Sequence, residues 1–330
     1  MDVRNVQQTG NMFYLYLPTS WCRKHGIDRN SKLSISVNSD GTLSVFPEVK
    51  KKKEKEIKLS VDEQDQDIIN KIIVACYIAP ASSFKIMLKH GIDSARLLDQ
   101  KKLLNVELVE FDGKNITCES SISVSDPQSL LRTMLTKIKN MISIMLSPHE
   151  PELLERYEEE IDRSMLLIEK SSLSLLSFSE QSHLKATDVH FISLLAKSFE
   201  RITDHLQFLA RKTEEKEFLQ NILDIVNDIR KVLDEVFFTQ QGAPAASSAR
   251  KARNADNSEK AQHDVALSSR LVPVIRKVRE ITLGEAAKRS ASGGKAPSML
   301  YCHREIITSS LDRIMEVLLD WAVLRMVEER

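Results

Sequence analysis

Two pairs of acidic residues have the spacing that places carboxylates on one face of a helix. Glu158 and Asp162 lie four residues apart, and so do Glu200 and Asp204, with His205 directly after the second pair. Like charges at this spacing destabilise a helix by about 0.2–0.5 kcal/mol per pair. If the two helices pack antiparallel, the four carboxylates converge, and a bound cation would offset their repulsion.

The donor types point to a metal ion, but they leave a second interpretation open. Carboxylate oxygens with one imidazole suit a divalent or trivalent metal such as iron, manganese, magnesium or zinc. The alternative is a solvated acidic face that forms ion pairs with Arg156, Arg163 and Arg201. Structural ion-pair networks commonly show the same pattern, so spacing alone favours this alternative over a metal site.

A third interpretation is a metallohydrolase, because carboxylates and a metal can activate water. No nucleophile–base arrangement and no substrate-cradling loop accompanies the acids in the sequence. We therefore expect that the protein is not an enzyme.

The acidic pairs belong to residues 126–330, where apolar residues recur with the period of amphipathic helices. Six such stripes predict six helices, the fifth of them over residues 260–283. Residues 197–204 and 309–316 share an acid, an arginine and an isoleucine in the same order. This internal sequence similarity predicts a duplicated three-helix bundle, with repeats at residues 126–213 and 215–330.

The residues before the helical part have the alternation of β-strands. Residues 1–48 contain strand patterns at 13–17 and 32–37 and a turn at Asp40-Gly41. A segment this short buries too little surface to be stable alone, so we expect a homodimer. Residues 56–125 predict a small α/β module of strands and two helices.

Composition favours a cytoplasmic protein. Lys+Arg and Asp+Glu both number 47, so the formal net charge is zero, which does not exclude a local basic surface. The four cysteines are far apart and form neither a disulfide framework nor a zinc motif. We expect no secretion signal and no integral membrane segment, because no apolar run is long enough.

The first 48 residues resemble the SpoVT/AbrB family of DNA-binding domains. The resemblance is carried by Arg4-x-Val6-Gln7-x-Thr9-Gly10, Leu17-Pro18-x-x-Trp21, His25-Gly26-Ile27 and Asp40-Gly41-x-Leu43. It implies a swapped-hairpin β fold in which two chains interleave and bind double-stranded DNA. The DNA-binding residues that it implies are Arg4, Arg23, Lys24 and Arg29. Many members carry an arginine where this chain has Asn11.

Residues 126–330 resemble the PhoU family, which consists of two three-helix repeats with E-x-x-x-D metal motifs. The matching motifs are Glu158-x-x-x-Asp162 and Glu200-Arg201-x-x-Asp204-His205. The resemblance implies that Glu158, Asp162, Glu200, Asp204 and His205 bind a metal.

The second repeat departs from the PhoU pattern. Asp312 and Glu316 occupy the third-helix positions, but Lys260 and Asp264 replace the second-helix acids. A lysine ammonium there would repel a metal, so we expect one metal cluster.

Both resemblances together imply a PhoU-type regulator of the kind found in archaea. We expect a mainly α, multidomain protein with domains at residues 1–48, 56–125 and 126–330. Its expected function is DNA-binding transcriptional regulation of phosphate uptake, with a metal-binding helical sensor domain. The alternative is a signalling adaptor that does not bind DNA and that acts on a phosphate transporter ATPase or a sensor protein.

Overall fold

A computed structural model describes most of the chain. The described residues are 3–37, 42–47, 56–91, 106–111, 113–120, 126–147, 151–177, 184–209, 215–238, 267–291 and 298–328. They are mostly helical, with small β-sheets in the N-terminal part, which confirms the expected mainly α fold. The chain divides into two compact units, Met1–Glu54 and Lys55–Arg330.

The described residues of the first unit form two antiparallel strand pairs and one short helix. Its elements are β1 (Gln7–Thr9), β2 (Met12–Tyr14), α1 (Thr19–His25), β3 (Leu33–Val37) and β4 (Leu43–Pro47). β1 pairs with β2, and β3 pairs with β4. Gly10 at the first turn and Gly26 after α1 adopt φ angles of 60° and 63°. This left-handed conformation is accessible to glycine without steric cost.

The strand pattern at residues 13–17 is only partly correct. β2 ends at Tyr14, and a strand that the alternation did not predict, β1, pairs with it. The predicted turn at Asp40-Gly41 lies outside the described residues.

The second unit begins with a four-stranded sheet in the order β5-β6-β8-β7. Its elements are β5 (Glu56–Val61), α2 (Gln66–Ile78), β6 (Ser83–Leu88), β7 (Val106–Phe111) and β8 (Asn115–Ser120). β5 and β6 are parallel and are connected through α2, as expected for a crossover helix. The Asp65 carboxylate caps α2 by accepting hydrogen bonds from the amides of Asp67 and Ile68. The second helix predicted for this module, at 94–104, lies outside the described residues.

In the described residues, six long helices follow the sheet. They are α3 (Pro127–Met145), α4 (Pro151–Ser177), α5 (Ala186–Leu206), α6 (Lys216–Val232), α7 (Val272–Ala291) and α8 (Met299–Glu328). Asp126 caps α3, and Pro127 occupies its first turn, where a missing amide N–H costs nothing. None of the described helices is long and apolar enough to cross a membrane.

The helices share one apolar core. α4 packs between α3 and α5, α5 packs on α8, and α8 packs on α7. α6 contacts both α3 and α7. The sheet has a second core of its own, and α2 packs on α4, where the Lys170 ammonium lies 4.1 Å from the centre of the Tyr77 ring. The α/β module and the helices therefore form one compact unit.

The fifth predicted helix has different limits in the structure. It continues to Ala291, beyond the expected end at residue 283, and residues 260–266 lie outside the described part. Gly284 does not end it, because Glu285 and Arg289 one turn later bond to side chains of α8. Tertiary contacts here outweigh the low helix propensity of one glycine.

Candidate functional site

The acidic pairs lie on α4 and α5, which pack side by side in opposite directions. Gln207, directly after α5, donates a 2.7 Å hydrogen bond from Nε2 to Oε1 of Glu158, near the start of α4. Lys197, earlier in α5, forms a 2.5 Å ion pair with Glu169, later in α4. These two contacts define an antiparallel register, and the two E-x-x-x-D motifs lie between them.

Three of the predicted carboxylates meet at this interface. One oxygen from each of Asp162, Glu200 and Asp204 lies within 4.8 Å of the others, and all three residues are partly buried. The separation is short enough for one cation to contact all three. Among the described residues, this is the one group of three or more histidine, cysteine or acidic side chains with such a spacing.

The electrostatic environment of Glu200 is unfavourable for a bare carboxylate. Burial and the nearby charges of Asp204, Asp162 and Glu169 raise the pKa of Glu200 to about 7, against a small opposing effect of Arg201. A carboxyl group with this pKa is about half protonated at neutral pH. A multivalent cation would replace the proton and would remove the repulsion within the group.

The donor set selects the type of ion. All three donors are carboxylate oxygens, which magnesium, manganese and iron accept readily. Zinc sites in proteins are usually built from cysteine and histidine. The group therefore fits a hard, oxygen-preferring metal better than it fits zinc.

Two of the five predicted ligands lie outside this group. Glu158 accepts the hydrogen bond from Gln207. The Nδ1 atom of His205 lies 2.9 Å from Nδ1 of His303 on α8, and the ring of Phe208 stacks on His303 at 4.2 Å. His205 thus connects α5 to α8.

Several residues around the group were absent from the sequence-based prediction. Glu169 follows Asp162 by seven residues, a helical spacing that could have indicated a shared face. Gln207 and His303 carry no comparable signal. His303 lies 98 residues from its partner, so only the packing of α5 on α8 brings the two imidazoles together.

The structure places two of the three arginines of the alternative interpretation as follows. Arg156 lies 3.8 Å from Glu160 on the same helix. Arg201 is exposed and lowers the pKa of Glu200 only as the smallest of five causes.

In the second half of the helical part, Asp312 and Glu316 have other partners. Asp312 accepts a 3.1 Å hydrogen bond from the Thr282 hydroxyl of α7. Glu316 forms a 3.0 Å ion pair with Arg313. Lys260 and Asp264, which the sequence aligned with the second-helix acids, lie outside the described residues.

The predicted DNA-binding residues are all at the surface of the first unit. Arg4, Arg23, Lys24 and Arg29 are exposed. Arg23 and Lys24 occupy the last turn of α1 together with His25. Cations are favourable there because the last turn of a helix carries a partial negative charge.

Apolar side chains also cover the surface of this unit. β3 and β4 pair Ile35 with Val45 and Val37 with Leu43. Ile35, Val37 and Leu43 are 66%, 76% and 63% exposed. None of the described residues of the unit is buried. A monomeric unit of this composition lacks the buried apolar surface that normally stabilises a fold.

Comparison with protein-family models, with curated proteins and with solved structures found no match for this chain. The resemblances noted in the sequence stay predictions, and the functional argument rests on the residues themselves.

Proposed function

We propose that this protein is a dimeric, DNA-binding transcriptional regulator of phosphate uptake, with a metal-binding helical sensor domain. The assignment to phosphate uptake comes from the resemblance of residues 126–330 to the PhoU family. We further infer that α3 to α5 and α6 to α8 are the two repeats of a duplicated three-helix bundle.

The observation that carries the proposal is that the described part of the first unit has no buried residue and exposes an apolar face. Exposing Ile35, Val37 and Leu43 together is unfavourable, at about 25 cal/mol per Å² of apolar surface left in water. A second copy of the same hairpins is the occupant that we propose, because the paired strands offer identical, self-complementary apolar faces. This arrangement corresponds to the swapped-hairpin dimer that the SpoVT/AbrB resemblance implies.

Dimerisation would give the unit a duplicated basic surface. Arg4, Arg23, Lys24 and Arg29 are exposed in each chain, so a dimer presents eight such cations. Cations of this kind bind DNA phosphates and release counterions, which makes affinity depend steeply on salt. The zero net charge of the chain is compatible with this, because the positive charge is concentrated locally.

The helical part would supply the sensor. Asp162, Glu200 and Asp204 would hold the metal, which would neutralise the charge between α4 and α5. Occupancy of such a site stabilises the contact between the two helices. The metal state would therefore be transmitted through α5, which also contacts α8.

Electrophoretic mobility shift experiments with the full chain test the DNA-binding proposal. Duplexes from upstream regions of phosphate transporter genes should be retarded, with a strong loss of affinity between 50 and 200 mM salt, on the order of a hundredfold or more. Substitution of Arg23 and Lys24 by alanine should weaken binding and reduce the salt dependence. Lys58→Ala and Lys89→Ala, which remove exposed cations from the second unit, serve as matched controls.

Two outcomes of the mobility shift experiment would contradict the DNA-binding proposal. Absence of retardation at low salt, or equal affinity of the Arg23/Lys24 variant and the controls, would show that the first unit does not bind duplex DNA.

Elemental analysis and calorimetric titration with Mn²⁺ test the metal site. Glu200→Gln and Asp204→Asn should lose the bound metal, since each removes one of three oxygen donors. Glu160→Gln is the matched control, because Glu160 lies on α4 but pairs with Lys137 at 3.5 Å. Equal metal content in all three variants would contradict the metal site and would support the interpretation of the acids as a solvated ion-pair network.

A signalling adaptor is the second candidate, and the turn between β1 and β2 favours it. Asn11 lies exposed at this turn, where many SpoVT/AbrB members carry an arginine. In that case the first unit serves only for dimerisation, and the helical part acts on a phosphate transporter ATPase or a sensor protein. A dimer that fails to bind DNA but is retained by one of these proteins would favour the adaptor.

A further inference from the structure

A cavity of about 480 Å³ lies between α3, α6 and α7. Lys139 of α3 and Lys277 of α7 contribute to its wall, and α6 contributes the other lining residues. α6 contacts both α3 and α7, so one core holds the three helices together. The volume lies within the range of about 300–1,000 Å³ that is usual for ligand pockets. None of the lining residues belongs to the acidic group between α4 and α5.

The wall of this cavity is hydrophilic throughout. Asp224, Asn227, Asp228 and Lys231 are spaced three or four residues apart, which places them on one face of α6. Among the described residues, every lining side chain is charged or carries an amide, and none is aromatic or aliphatic. The base of a nucleotide normally stacks on aromatic side chains. The wall therefore suits a ligand without an apolar part.

Positive charge predominates in the wall, where four lining residues are cations and two are carboxylates. One carboxylate serves two of the lysines, because Asp228 lies 3.0 Å from Lys277 Nζ and 3.6 Å from Lys231 Nζ. Arg230 lies 3.9 Å from Asp234, which also binds an arginine of α3 at 2.7 Å. Two carboxylates are thus each shared between two cations, and the wall keeps an excess of positive charge.

Lys139 is a second, independent indication of an anionic ligand. Its side chain is partly buried, and in the described part of the chain no ion pair or hydrogen bond involves its ammonium group. Lys137 on the same helix shows the opposite situation, because its ammonium contacts Glu160 and donates to the Ser164 hydroxyl. Partial removal of an ammonium from water is unfavourable unless an anion compensates it.

The number of cations and the space between them select the type of anion. Lysine and arginine form charge-assisted hydrogen bonds with phosphate oxygens. The cations come from three helices, so an extended anion with several charges contacts more of them than a compact one does. A chain of two or more phosphate groups has the required charge, length and hydrophilic character.

We propose that the cavity between α3, α6 and α7 binds an inorganic polyphosphate, of which pyrophosphate is the smallest. Lys139 binds the anion from α3, Arg230 and Lys231 bind it from α6, and Lys277 binds it from α7. Asp228 orients the two lysines with which it pairs. The bound anion connects helices from both halves of the helical part. The site shares no residue with the DNA-binding surface or the metal group, so its test is independent of both.

Isothermal titration of the full chain with pyrophosphate, in metal-free buffer at neutral pH and low salt, tests the proposal. We expect saturable binding of one molecule per chain. Lys139→Met should weaken the affinity by about tenfold or more, because it removes a charged donor and breaks no ion pair among the described residues.

A variant with the opposite expected effect makes the test independent of folding defects. Asp224 lines the cavity and accepts a 3.1 Å hydrogen bond from the Gln220 amide, which an asparagine oxygen can also accept. Asp224→Asn removes a negative charge from the wall and should tighten pyrophosphate binding by about threefold. A damaged fold would weaken the binding instead.

Further measurements separate this cavity from other sources of binding. Lys216→Met, at an exposed position of α6 outside the cavity, should retain the affinity. Substitution of Arg23 and Lys24 by alanine should also retain it, which excludes binding at the first unit. Orthophosphate should bind about tenfold more weakly than pyrophosphate. ADP, which carries the same diphosphate group on adenosine, should bind no more tightly, because the wall offers its base no apolar surface.

Four outcomes would overturn the proposal. The first is the absence of saturable binding, and the second is equal affinity of wild type, Lys139→Met and Asp224→Asn. The third is loss of binding in the Arg23/Lys24 variant, which would place the anion on the first unit. The fourth is tighter binding of ADP or orthophosphate than of pyrophosphate, which would assign the cavity to a different ligand.

Discussion

At the scale of single residues, Glu200 has a strongly perturbed environment within the acidic group. Its pKa of about 7 comes from burial and from three neighbouring carboxylates. In the unfolded chain the same group has its ordinary value of 4.5. Between these two values the folded protein holds a proton that the unfolded chain has released, so unfolding is favoured as the pH rises through this window.

The pH dependence of Glu200→Gln checks this assignment. Below pH 4.5 the carboxyl group is protonated in both states, and the variant and the wild type should have similar stability. As the pH rises to about 7 the metal-free wild type should lose stability relative to the variant, by about 1–2 kcal/mol at pH 8, because partial solvation reduces the effect. Urea denaturation at several pH values in a chelator measures the difference.

Addition of Mn²⁺ provides the control for the same experiment. The metal should stabilise the wild type at pH 8 and should have little effect on the variant. A parallel pH dependence of the two proteins would contradict the environment that we assign to Glu200.

At the scale of elements, α5 and α8 are connected by a buried ion pair as well as by the histidines. Asp188 at the start of α5 accepts hydrogen bonds from Trp321 Nε1 at 2.6 Å and from Arg325 Nη2 at 2.9 Å. Arg325 also donates to the Val236 carbonyl and lies over the rings of Phe237 and Trp321. This cluster fixes the start of α5 against the end of α8.

Asp188→Ala should be strongly destabilising. The substitution leaves the Arg325 guanidinium, which is 11% exposed, without its carboxylate, and breaking such a pair costs about 3–5 kcal/mol. Chemical denaturation followed by circular dichroism measures the loss. The matched control is Glu316→Ala, which breaks an ion pair whose side chains are 61% and 63% exposed. Its effect should stay below about 0.5 kcal/mol, and a similar loss in both variants would contradict the structural role of Asp188.

At the scale of the whole molecule, the two units differ in how they are stabilised. The second unit has continuous apolar cores, with residues such as Leu131, Ile138 and Phe199 fully buried. The first unit has no buried residue in its described part. Its stability therefore depends on association in our proposal, whereas the helical unit can fold within one chain.

Introducing charge into the apolar face of β3 should prevent the association that we propose. Ile35→Asp combined with Val37→Asp places two carboxylates where the second chain would pack, at a cost of several kcal/mol. Light scattering should show a monomer, and the helical circular dichroism of the second unit should be unchanged. Ser34→Asp, which alternates to the opposite face of the strand, is the control and should remain dimeric. A double variant that stays dimeric would place the association elsewhere.

The sequence by itself determined the long helices and their apolar faces, but not all of the strands. Helical periodicity predicted the apolar stripes of α3 to α8, because a residue's place on its own helix depends only on spacing. Spacing also predicted that Asp162 and Glu158, and likewise Glu200 and Asp204, belong to shared helix faces. The limits of α7 were less accurate, since contacts with α8 extend it past Gly284.

Only the tertiary structure decided which of these residues meet. The register between α4 and α5 brings Asp162 close to Glu200 and Asp204. In the same register, Glu158 accepts a hydrogen bond from Gln207. The packing of α5 on α8 brings the imidazole of His205 into contact with the imidazole of His303. Contacts between helices depend on how the whole core packs, and local spacing carries no information about a partner tens of residues away.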